Sequence, residues 1–253
     1  MAHGTSGTAL DFTAGVPLTA IAEGGTLAGT VGKKSVLLSR FGGELYAVTA
    51  TCTHYHAALE RGLFDGPSVR CPLHHACFSL RPGAALGAPA LDPLKRLRVE
   101  VQGGQVFVRG EPEPAATESF RPAVPVERIV IVGGGGAGLA CANELRRLGY
   151  DGQIALLTAD SEPPYDRPNL SKDFLAGRAP EEWLPLRSPR WYRDSAVDLH
   201  LSSEATRIDV EGRTVHTATG SVFAFDRLLL ATGCEPRLLP GKGFERENVH
   251  VLR

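Results

Sequence analysis

Two short stretches of the chain repeat one order of residues, a cysteine followed closely by a histidine. They are CTHYHAALE, which begins at Cys52, and CPLHHACFSL, which begins at Cys71. One residue separates Cys52 from His54, two separate Cys71 from His74, and sixteen lie between the pairs. If the four side chains share one site, the chain must hold two loops side by side. This requirement constrains the fold of the surrounding residues more than any other feature of the sequence.

Three interpretations account for these four residues. They are buried thiols and hydrogen-bonded histidines with no ligand, a tetrahedral Zn²⁺ site, or a [2Fe–2S] cluster. Structural zinc sites usually place two cysteines two to four residues apart on one turn, and the C-x-H spacing differs from that pattern. In a [2Fe–2S] cluster with two cysteines on one iron and two histidines on the other, each loop supplies one ligand to each iron. The cluster therefore explains the repeated order.

Length and composition narrow the class of protein. A chain of 253 residues is long enough for two domains. Its 27 Lys and Arg against 28 Asp and Glu give a formal net charge of -1, which predicts no nucleic-acid partner and no anionic membrane surface. Since neither a secretion signal nor a run of eighteen apolar residues is visible, we predict a cytoplasmic protein without membrane association. The five cysteines are then expected to be reduced thiols, some bound to metal.

The first half of the chain has the pattern of short strands joined by glycine turns. SVLLSR and ELYAVTA flank Gly42 and Gly43, and RLRVEV and QVFVR flank Gly103 and Gly104. Both pairs have the composition and the short connection of a β-hairpin. A helical period is absent here, so we predict an all-β domain over residues 1–110.

The pattern changes after a proline-rich stretch. Residues 111–125 contain four prolines and little aliphatic content, which predicts a semi-rigid linker. VERIVIV, a glycine-rich loop, a helical period of apolar residues and QIALLT then form a predicted βαβ unit over residues 126–158. RLLLATG, residues 227–233, predicts a further buried strand. The second domain is therefore expected to be α/β.

The glycine-rich loop of this unit contains G-x-G-x-x-G between a strand and a helix, which is typical of dinucleotide binding. Gly133 permits a tight turn, Gly135 lets the backbone approach a pyrophosphate, and Gly138 allows close packing of the helix, whose N-terminal N–H groups would face the phosphates. Asp160 follows 22 residues after Gly138 and is expected to accept hydrogen bonds from a ribose. The predicted cofactor-binding residues are Gly133, Gly135, Gly136, Ala137, Gly138 and Asp160.

Residues 40–110 resemble the Rieske [2Fe–2S] family, through the C-x-H, sixteen residues, C-x-x-H signature and the strands around it. The resemblance implies a small β domain that holds the cluster at the tips of two loops. It also implies that the metal ligands are Cys52, His54, Cys71 and His74.

Differences from the high-potential Rieske proteins predict the redox potential. Those proteins have an extra cysteine in each loop, which together form a disulfide, and a serine that hydrogen-bonds a bridging sulfide. The matching positions here are Ala57, Leu73 and Ala76. We therefore expect a potential low in the Rieske range of roughly −150 to +300 mV. His56 and His75 lie where glycine is more usual, and we expect exposed loop residues without a special role, with a docking or proton-linked pair as the alternative.

Two stretches of the second half, PPYDRPNLSKDFL and FDRLLLATGCEPRLLPG, resemble the FAD-binding segment of ferredoxin-reductase-type flavoproteins, within the pyridine-nucleotide disulfide oxidoreductase family. By this resemblance Arg167 and Lys172 lie beside the FAD, with Lys172 near the flavin ring as the candidate catalytic residue. The alternative is that both are surface charges. Ala205 is expected near the adenine. The residues expected along the pyrophosphate or flavin are Thr232, Gly233 and Arg237.

A Rieske domain ahead of such a flavoprotein is the arrangement of the apoptosis-inducing-factor-like Rieske/FAD reductases. The resemblance implies an all-β Rieske domain over residues 1–110 and an α/β Rossmann-like FAD-binding domain, incomplete, over residues 126–253. It also implies electron flow from NAD(P)H to FAD, then singly to the cluster, and on to a redox partner protein.

Those reductases continue with a second nucleotide-binding unit and a returning FAD segment, and neither is found in these 253 residues. We therefore expect the front part of a longer reductase, which holds FAD weakly or not at all and uses NAD(P)H only when complete. Two hypotheses stay open. The chain is either part of an NAD(P)H-linked oxidoreductase or a one-electron Rieske ferredoxin-type carrier with a vestigial, non-catalytic nucleotide-binding appendage.

Overall fold

The computed structural model describes residues 10–112 and 125–251. They form two compact units that divide near residue 116. Residues 113–124, which make up most of the predicted linker, lie outside the described residues.

The first unit is built from eleven short strands in two antiparallel-rich sheets. Seven strands form one sheet in the order β1-β3-β4-β5-β10-β11-β2, and four form the other in the order β6-β7-β8-β9. The strands are β1 Leu10–Asp11, β2 Val16–Pro17, β3 Thr26–Val31, β4 Lys34–Phe41, β5 Glu44–Thr49, β6 Leu63–Asp65, β7 Ser68–Arg70, β8 Cys77–Ser79, β9 Ala85–Gly87, β10 Arg96–Gln102 and β11 Gln105–Pro112. Short 3₁₀ helices cover Leu18–Ala20 and Leu59–Arg61.

Both predicted hairpins are confirmed. β4 pairs with β5 and β10 pairs with β11, each antiparallel and joined by two glycines. Gly42 and Gly43 have φ of 65° and 79°, in the left-handed region that a tight hairpin turn requires and that glycine adopts without steric penalty. β11 runs to Pro112, two residues into the stretch predicted as linker.

The apolar core of this unit has two clusters of buried side chains. One lies within the large sheet and includes Phe12, Val36 and Leu38. The other lies between the sheets and includes Leu37, Phe78 and both cysteines of the Cys-His pairs. Cys52 follows the end of β5 and Cys71 follows the end of β7, so each pair begins where a strand leaves the core.

The second unit has a four-stranded parallel sheet in the order β14-β13-β12-β18 and a three-stranded antiparallel sheet in the order β15-β16-β17. Its strands are β12 Arg128–Val132, β13 Gln153–Leu157, β14 Val197–His200, β15 Ala205–Asp209, β16 Thr214–Thr217, β17 Val222–Ala224 and β18 Arg227–Leu230. Its helices are α1 Gly136–Arg147, α2 Arg167–Asn169 and α3 Pro189–Asp194. Helical turns cover Leu170–Phe174 and Glu181–Trp183. The predicted βαβ unit is confirmed as β12, α1 and β13.

Helix α1 follows from its sequence. The apolar period predicted for it places Leu139 and Ala142 in the core against β12 and β13. Gly149 ends the helix with φ of 82°. Arg146, in the last turn, donates hydrogen bonds to the carbonyls of Tyr150, Ser195 and Ala196 at 2.6–2.8 Å, which ties the end of α1 to the turn before β14. Within the described residues, no helix is both long and apolar enough to cross a membrane.

Candidate functional site

The two Cys-His pairs lie on loops with the same backbone hydrogen bonds. In the first Cys-His loop, residues 52–57, the Cys52 N–H donates to Ala57 and the His56 N–H donates to Cys52, at 2.9 and 3.0 Å. In the second Cys-His loop, residues 71–76, the Cys71 and His75 amides make the same bonds at 2.9 and 3.1 Å. Each loop therefore closes on the residue five positions after its cysteine, and the two loops match position by position.

This loop geometry explains why glycine is more usual at the two positions where this chain has His56 and His75. The residue four positions after each cysteine is left-handed, with φ of 54° at His56 and 60° at His75. Glycine is the residue that adopts this conformation without steric strain, and a side chain there costs about 1–2 kcal/mol. Both histidines are exposed, as predicted. The conformation itself is a feature that the sequence pattern alone did not reveal.

The loops place sulfur inside and imidazole outside. Cys52 and Cys71 are 1% and 2% exposed and belong to the apolar core. His54 is half-buried and His74 is exposed, and their ring centroids lie 5.1 Å apart. The four side chains predicted as metal ligands are thus brought together, with the two thiols on the protein side and the two imidazoles toward solvent.

The two thiols form a buried, mutually interacting pair. Burial raises the pKa of the Cys52 thiol to about 11; a hydrogen bond from the His54 backbone N–H to the sulfur opposes the rise, and the neighbouring Cys71 thiol adds to it. A metal ion deprotonates the thiol that binds it, because the positive charge of the ion compensates the charge of the thiolate. The pair is therefore chemically suited to metal.

The donor set is two sulfurs and two imidazoles, with one of each supplied by each loop. A tetrahedral zinc site takes all four ligands on one ion, whereas a [2Fe–2S] cluster of this type takes two sulfurs on one iron and two imidazoles on the other. Two buried sulfurs beneath two outward imidazoles fit the cluster.

Tyr55 contacts both imidazoles and was not among the predicted site residues. Its ring is stacked on that of His54, with centroids 4.1 Å apart and an interplanar angle of 6°. It meets the His74 ring edge-on at 5.3 Å and 84°. An aromatic residue directly after a ligand is the only sequence signal for this contact.

In the second unit, the glycines of the glycine-rich loop fall into two groups: those where a Cβ would clash and those where it would not. A Cβ on Gly133 would lie 2.1 Å from the Ala231 carbonyl oxygen, and one on Gly138 would lie 2.0 Å from the Gly133 carbonyl oxygen. A Cβ on Gly134 would lie 2.5 Å from the Thr158 side chain. These three glycines are therefore required by packing inside the protein. Gly134 was not among the predicted residues, and its steric partner Thr158 lies just after the end of β13.

Gly135 and Gly136 have open space where a Cβ would be. Gly135 is the N-cap of α1 and makes no side-chain capping bond, and the first turn of α1 contains no acidic residue. The unpaired N–H groups and the positive end of the helix dipole are suited to a phosphate. The backbone at Gly135 and Gly136 therefore fits the pyrophosphate of a dinucleotide.

A cavity of about 770 Å³ opens on this helix end. Of the predicted cofactor-binding residues, those that line it are Gly133, Gly135, Gly136, Ala137, Asp160, Arg167, Ala205, Thr232 and Gly233. Thr158, Tyr165 and Cys234 also line it and were not predicted. Gly138 is buried behind the loop. Most of the predicted set, drawn from five separate parts of the chain, is thus brought to one cavity.

Besides Gly138, two predicted residues do not line the cavity. The Lys172 ammonium donates to the Pro168 carbonyl and the Ser171 hydroxyl, at 3.2 and 3.3 Å. Arg237 is exposed in the segment after β18, which has no regular structure. The predicted pair of cations therefore does not belong to the walls of this cavity.

Asp160 already has a cationic partner. The Arg167 guanidinium donates to the Asp160 carboxylate at 3.2 Å and lies 5.7 Å from the Tyr165 ring centroid. Thr158, which is buried, accepts a hydrogen bond from the Asp160 N–H at 3.2 Å. The expected ribose acceptor is therefore held in place from both sides.

Comparison with known proteins agrees with the family resemblance predicted for each unit. Residues 16–98 match the Rieske [2Fe-2S] domain, and residues 127–253 match the pyridine nucleotide-disulphide oxidoreductase family. The chain is 34% identical to apoptosis-inducing factor 3 of Homo sapiens over 234 residues, which are 88% of this chain and 38% of the human protein. The chain thus spans about two fifths of that relative's length.

Two further comparisons each cover about half of this chain. The ferredoxin–NAD(+) reductase component of the biphenyl dioxygenase system of Paraburkholderia xenovorans is 40% identical over 128 residues, 51% of this chain and 31% of the relative. The crystal structure of the covalent putidaredoxin reductase–putidaredoxin complex is 39% identical, with a TM-score of 0.44 over 45% of this chain and 27% of that chain.

The contrast between Gly134 and Gly135 gives a first prediction. Gly134→Ala should lower the free energy of unfolding of the second unit by about 1–3 kcal/mol, because its Cβ overlaps Thr158. Gly135→Ala should leave stability within about 0.5 kcal/mol and weaken FAD or ADP binding about tenfold, because its Cβ enters the cavity. Denaturation followed by tryptophan fluorescence and ligand titration measure the two effects. Equal losses of stability in both variants would contradict the packing argument.

The left-handed histidines give a second prediction. His56→Gly and His75→Gly should each raise the free energy of unfolding of the first unit by about 0.5–1 kcal/mol, since glycine removes about 1–2 kcal/mol of strain and gives back part of it as entropy of the unfolded chain. His56→Ala and His75→Ala are the matched controls because they keep the Cβ. Guanidinium unfolding followed by circular dichroism measures the change, and an equal gain in the alanine variants would disprove this explanation.

Proposed function

The chain belongs to the pyridine nucleotide-disulphide oxidoreductase family and carries a Rieske [2Fe-2S] domain ahead of the flavoprotein unit; we propose that it carries electrons from NAD(P)H through FAD to the cluster and on to a redox partner protein. The Rieske domain implies a [2Fe–2S] cluster, and the family implies FAD and NAD(P)H. When bound, the flavin accepts a hydride and releases electrons one at a time, and the cluster carries single electrons.

The proposed roles of the residues follow from their positions. Cys52 and Cys71, which are buried, would hold one iron as thiolates, and His54 and His74, which lie toward solvent, would hold the other. This order leaves the imidazole edge of the site toward solvent, where a partner protein can approach. The single observation that carries the proposal is the pair of matching loop closures that puts two thiols under two imidazoles 5.1 Å apart.

In the second unit, the chain's backbone would hold the nucleotide. The N–H groups at Gly135 and Gly136 would bind the pyrophosphate. The Asp160 carboxylate would accept hydrogen bonds from the ribose while it also contacts the Arg167 guanidinium. Ala205, Thr232 and Gly233 complete the walls of the cavity. Lys172 would act near the flavin ring and Arg237 along the pyrophosphate or flavin, which requires the Lys172 ammonium to leave the Pro168 carbonyl and the Ser171 hydroxyl.

Three finer features belong to the same proposal. The potential is low in the Rieske range, since Ala57, Leu73 and Ala76 offer neither a bracing disulfide nor a hydroxyl donor. None of the five cysteines is in a disulfide, which suits a cytoplasmic location.

The domain boundaries are residues 1–110 for the Rieske domain, 111–125 for the linker and 126–253 for the FAD-binding domain.

A second candidate function is favoured by one observation. Lys172, expected near the flavin ring, and Arg237, expected along the pyrophosphate or flavin, do not line the cavity. In this reading the chain is a one-electron Rieske ferredoxin-type carrier, and its nucleotide-binding unit is not catalytic.

The test of the cluster is a comparison of cysteine variants. After anaerobic reconstitution, the chain should contain about two iron and two sulfide and show, when reduced, the EPR signal of a mixed Cys/His-ligated centre. Cys52→Ser and Cys71→Ser should lose both, because each removes a ligand. Cys77→Ser should keep both, because Cys77 is a buried residue of β8 and not a proposed ligand. One tetrahedral zinc ion, or no metal, in the parent chain would reject the proposal.

A flavin assay decides between the two candidate functions. Because these 253 residues span about two fifths of the human relative, the assay uses the longest chain that the gene encodes. If that protein is an NAD(P)H-linked reductase, it should retain FAD and transfer electrons from NADH or NADPH to a dye at a rate proportional to its flavin content. If it is a one-electron carrier, it should show the cluster alone and accept electrons only from dithionite or a reduced protein. Arg237→Gln is the matched variant: only the reductase should lose dye reduction. A protein that loads the cluster but shows no flavin-dependent dye reduction would support the second candidate.

A further inference from the structure

We infer that Tyr55 is a positioning residue for both histidine ligands and lowers the reduction potential of the centre they hold. The inference rests on the proposed function of the first unit, which supplies the [2Fe–2S] cluster. The observation behind it is a three-ring contact. Tyr55 stacks on His54 at 4.1 Å, meets His74 edge-on at 5.3 Å, and the two imidazoles are 5.1 Å apart and nearly perpendicular.

The matching of the two Cys-His loops shows why this contact is specific. Because both loops close on the fifth residue after the cysteine, Tyr55 in the first loop takes the same place as His74 in the second. Leu73 in turn takes the place of His54. One side chain of each matched pair is a proposed ligand and the other is not. Of the two non-ligands, Tyr55 packs against the imidazoles and is 40% exposed, while Leu73 is 56% exposed.

The stack restricts the orientation of the ligand. An imidazole bound through one nitrogen can still rotate about its bond to the metal, and a ring lying parallel to it at 4.1 Å blocks that rotation on one face. The edge-on contact with His74 relates the plane of the second imidazole to the same phenol ring. Tyr55 therefore fixes both ring planes relative to each other.

The stack also removes water from one face of His54. With two thiolates and two neutral imidazoles as ligands, a [2Fe–2S] centre has no net charge when oxidised and one negative charge after it accepts one electron from a reductant. Water stabilises the charged form more than an apolar ring does, because transfer of charge to a low dielectric is unfavourable. Covering the imidazole with Tyr55 therefore disfavours the reduced form and lowers the potential.

The experiment compares four variants of the reconstituted chain. Tyr55→Phe keeps the ring and should keep the midpoint potential and the EPR g values of the parent. Tyr55→Ala should shift the midpoint potential to more positive values and broaden the g values, because the imidazoles gain water and freedom of orientation. Tyr55→Leu should behave like Tyr55→Ala and supplies the same test if the alanine variant does not load iron. Leu73→Ala, which exposes apolar surface at the matched loop position, should change neither.

The outcomes separate this inference from the proposed function. A parent chain with no [2Fe–2S] signal rejects the proposed function. A parent chain with the signal, together with Tyr55→Ala or Tyr55→Leu variants that keep its potential and g values, rejects the role of Tyr55 alone. An equal shift in Leu73→Ala also rejects it, since the effect would then come from general exposure of the loop tips.

Discussion

The closure of the two Cys-His loops is the interaction on which the first unit depends. In each loop the cysteine N–H reaches the carbonyl five residues on, so the cysteine side chain turns into the core as the histidine turns outward. The same closure requires a left-handed residue at the fourth position after the cysteine, and the chain has histidine there in both loops. The strain at His56 and His75 is therefore a consequence of the geometry that creates the site. Strain of this kind persists where the surrounding structure over-determines the backbone, and here the buried cysteines do so.

The candidate site of the second unit differs from that of the first because it is formed mostly by backbone groups. Three glycines let the loop after β12 approach α1 and the residues that follow β13 and β18 so closely that no Cβ fits between them. The free N–H groups at the start of α1 are then presented to the cavity without any side chain. Asp160, held by Arg167 and Thr158, is the exception, a side chain placed by contacts from two elements.

Local sequence signals predicted the strands and helices well, but they did not predict the contacts between these elements. The glycine pairs located both hairpins, and the apolar period located α1, because turns and amphipathic helices depend on residues close in sequence. The stack of Tyr55 on His54 is also local, yet a parallel ring orientation depends on the closed loop and cannot be read from adjacent letters. The need for glycine at 134 depends on Thr158, which lies 24 positions later, and so requires the fold. Lys172 and Arg237 were predicted by resemblance to a flavin site, and their side chains have other surroundings in this structure.

This contrast explains why the two sites differ in how far sequence can describe them. A metal site needs particular atoms, sulfur and imidazole nitrogen, so its residue types and their spacing persist as a readable signature. A nucleotide site built from N–H groups needs an absence of side chains, and glycine has many other uses. The sequence does not distinguish the glycines with open space for a Cβ from those without it. Only the packing shows that Gly135 and Gly136 have room for a ligand beside them, whereas the fold itself requires glycine at 133, 134 and 138.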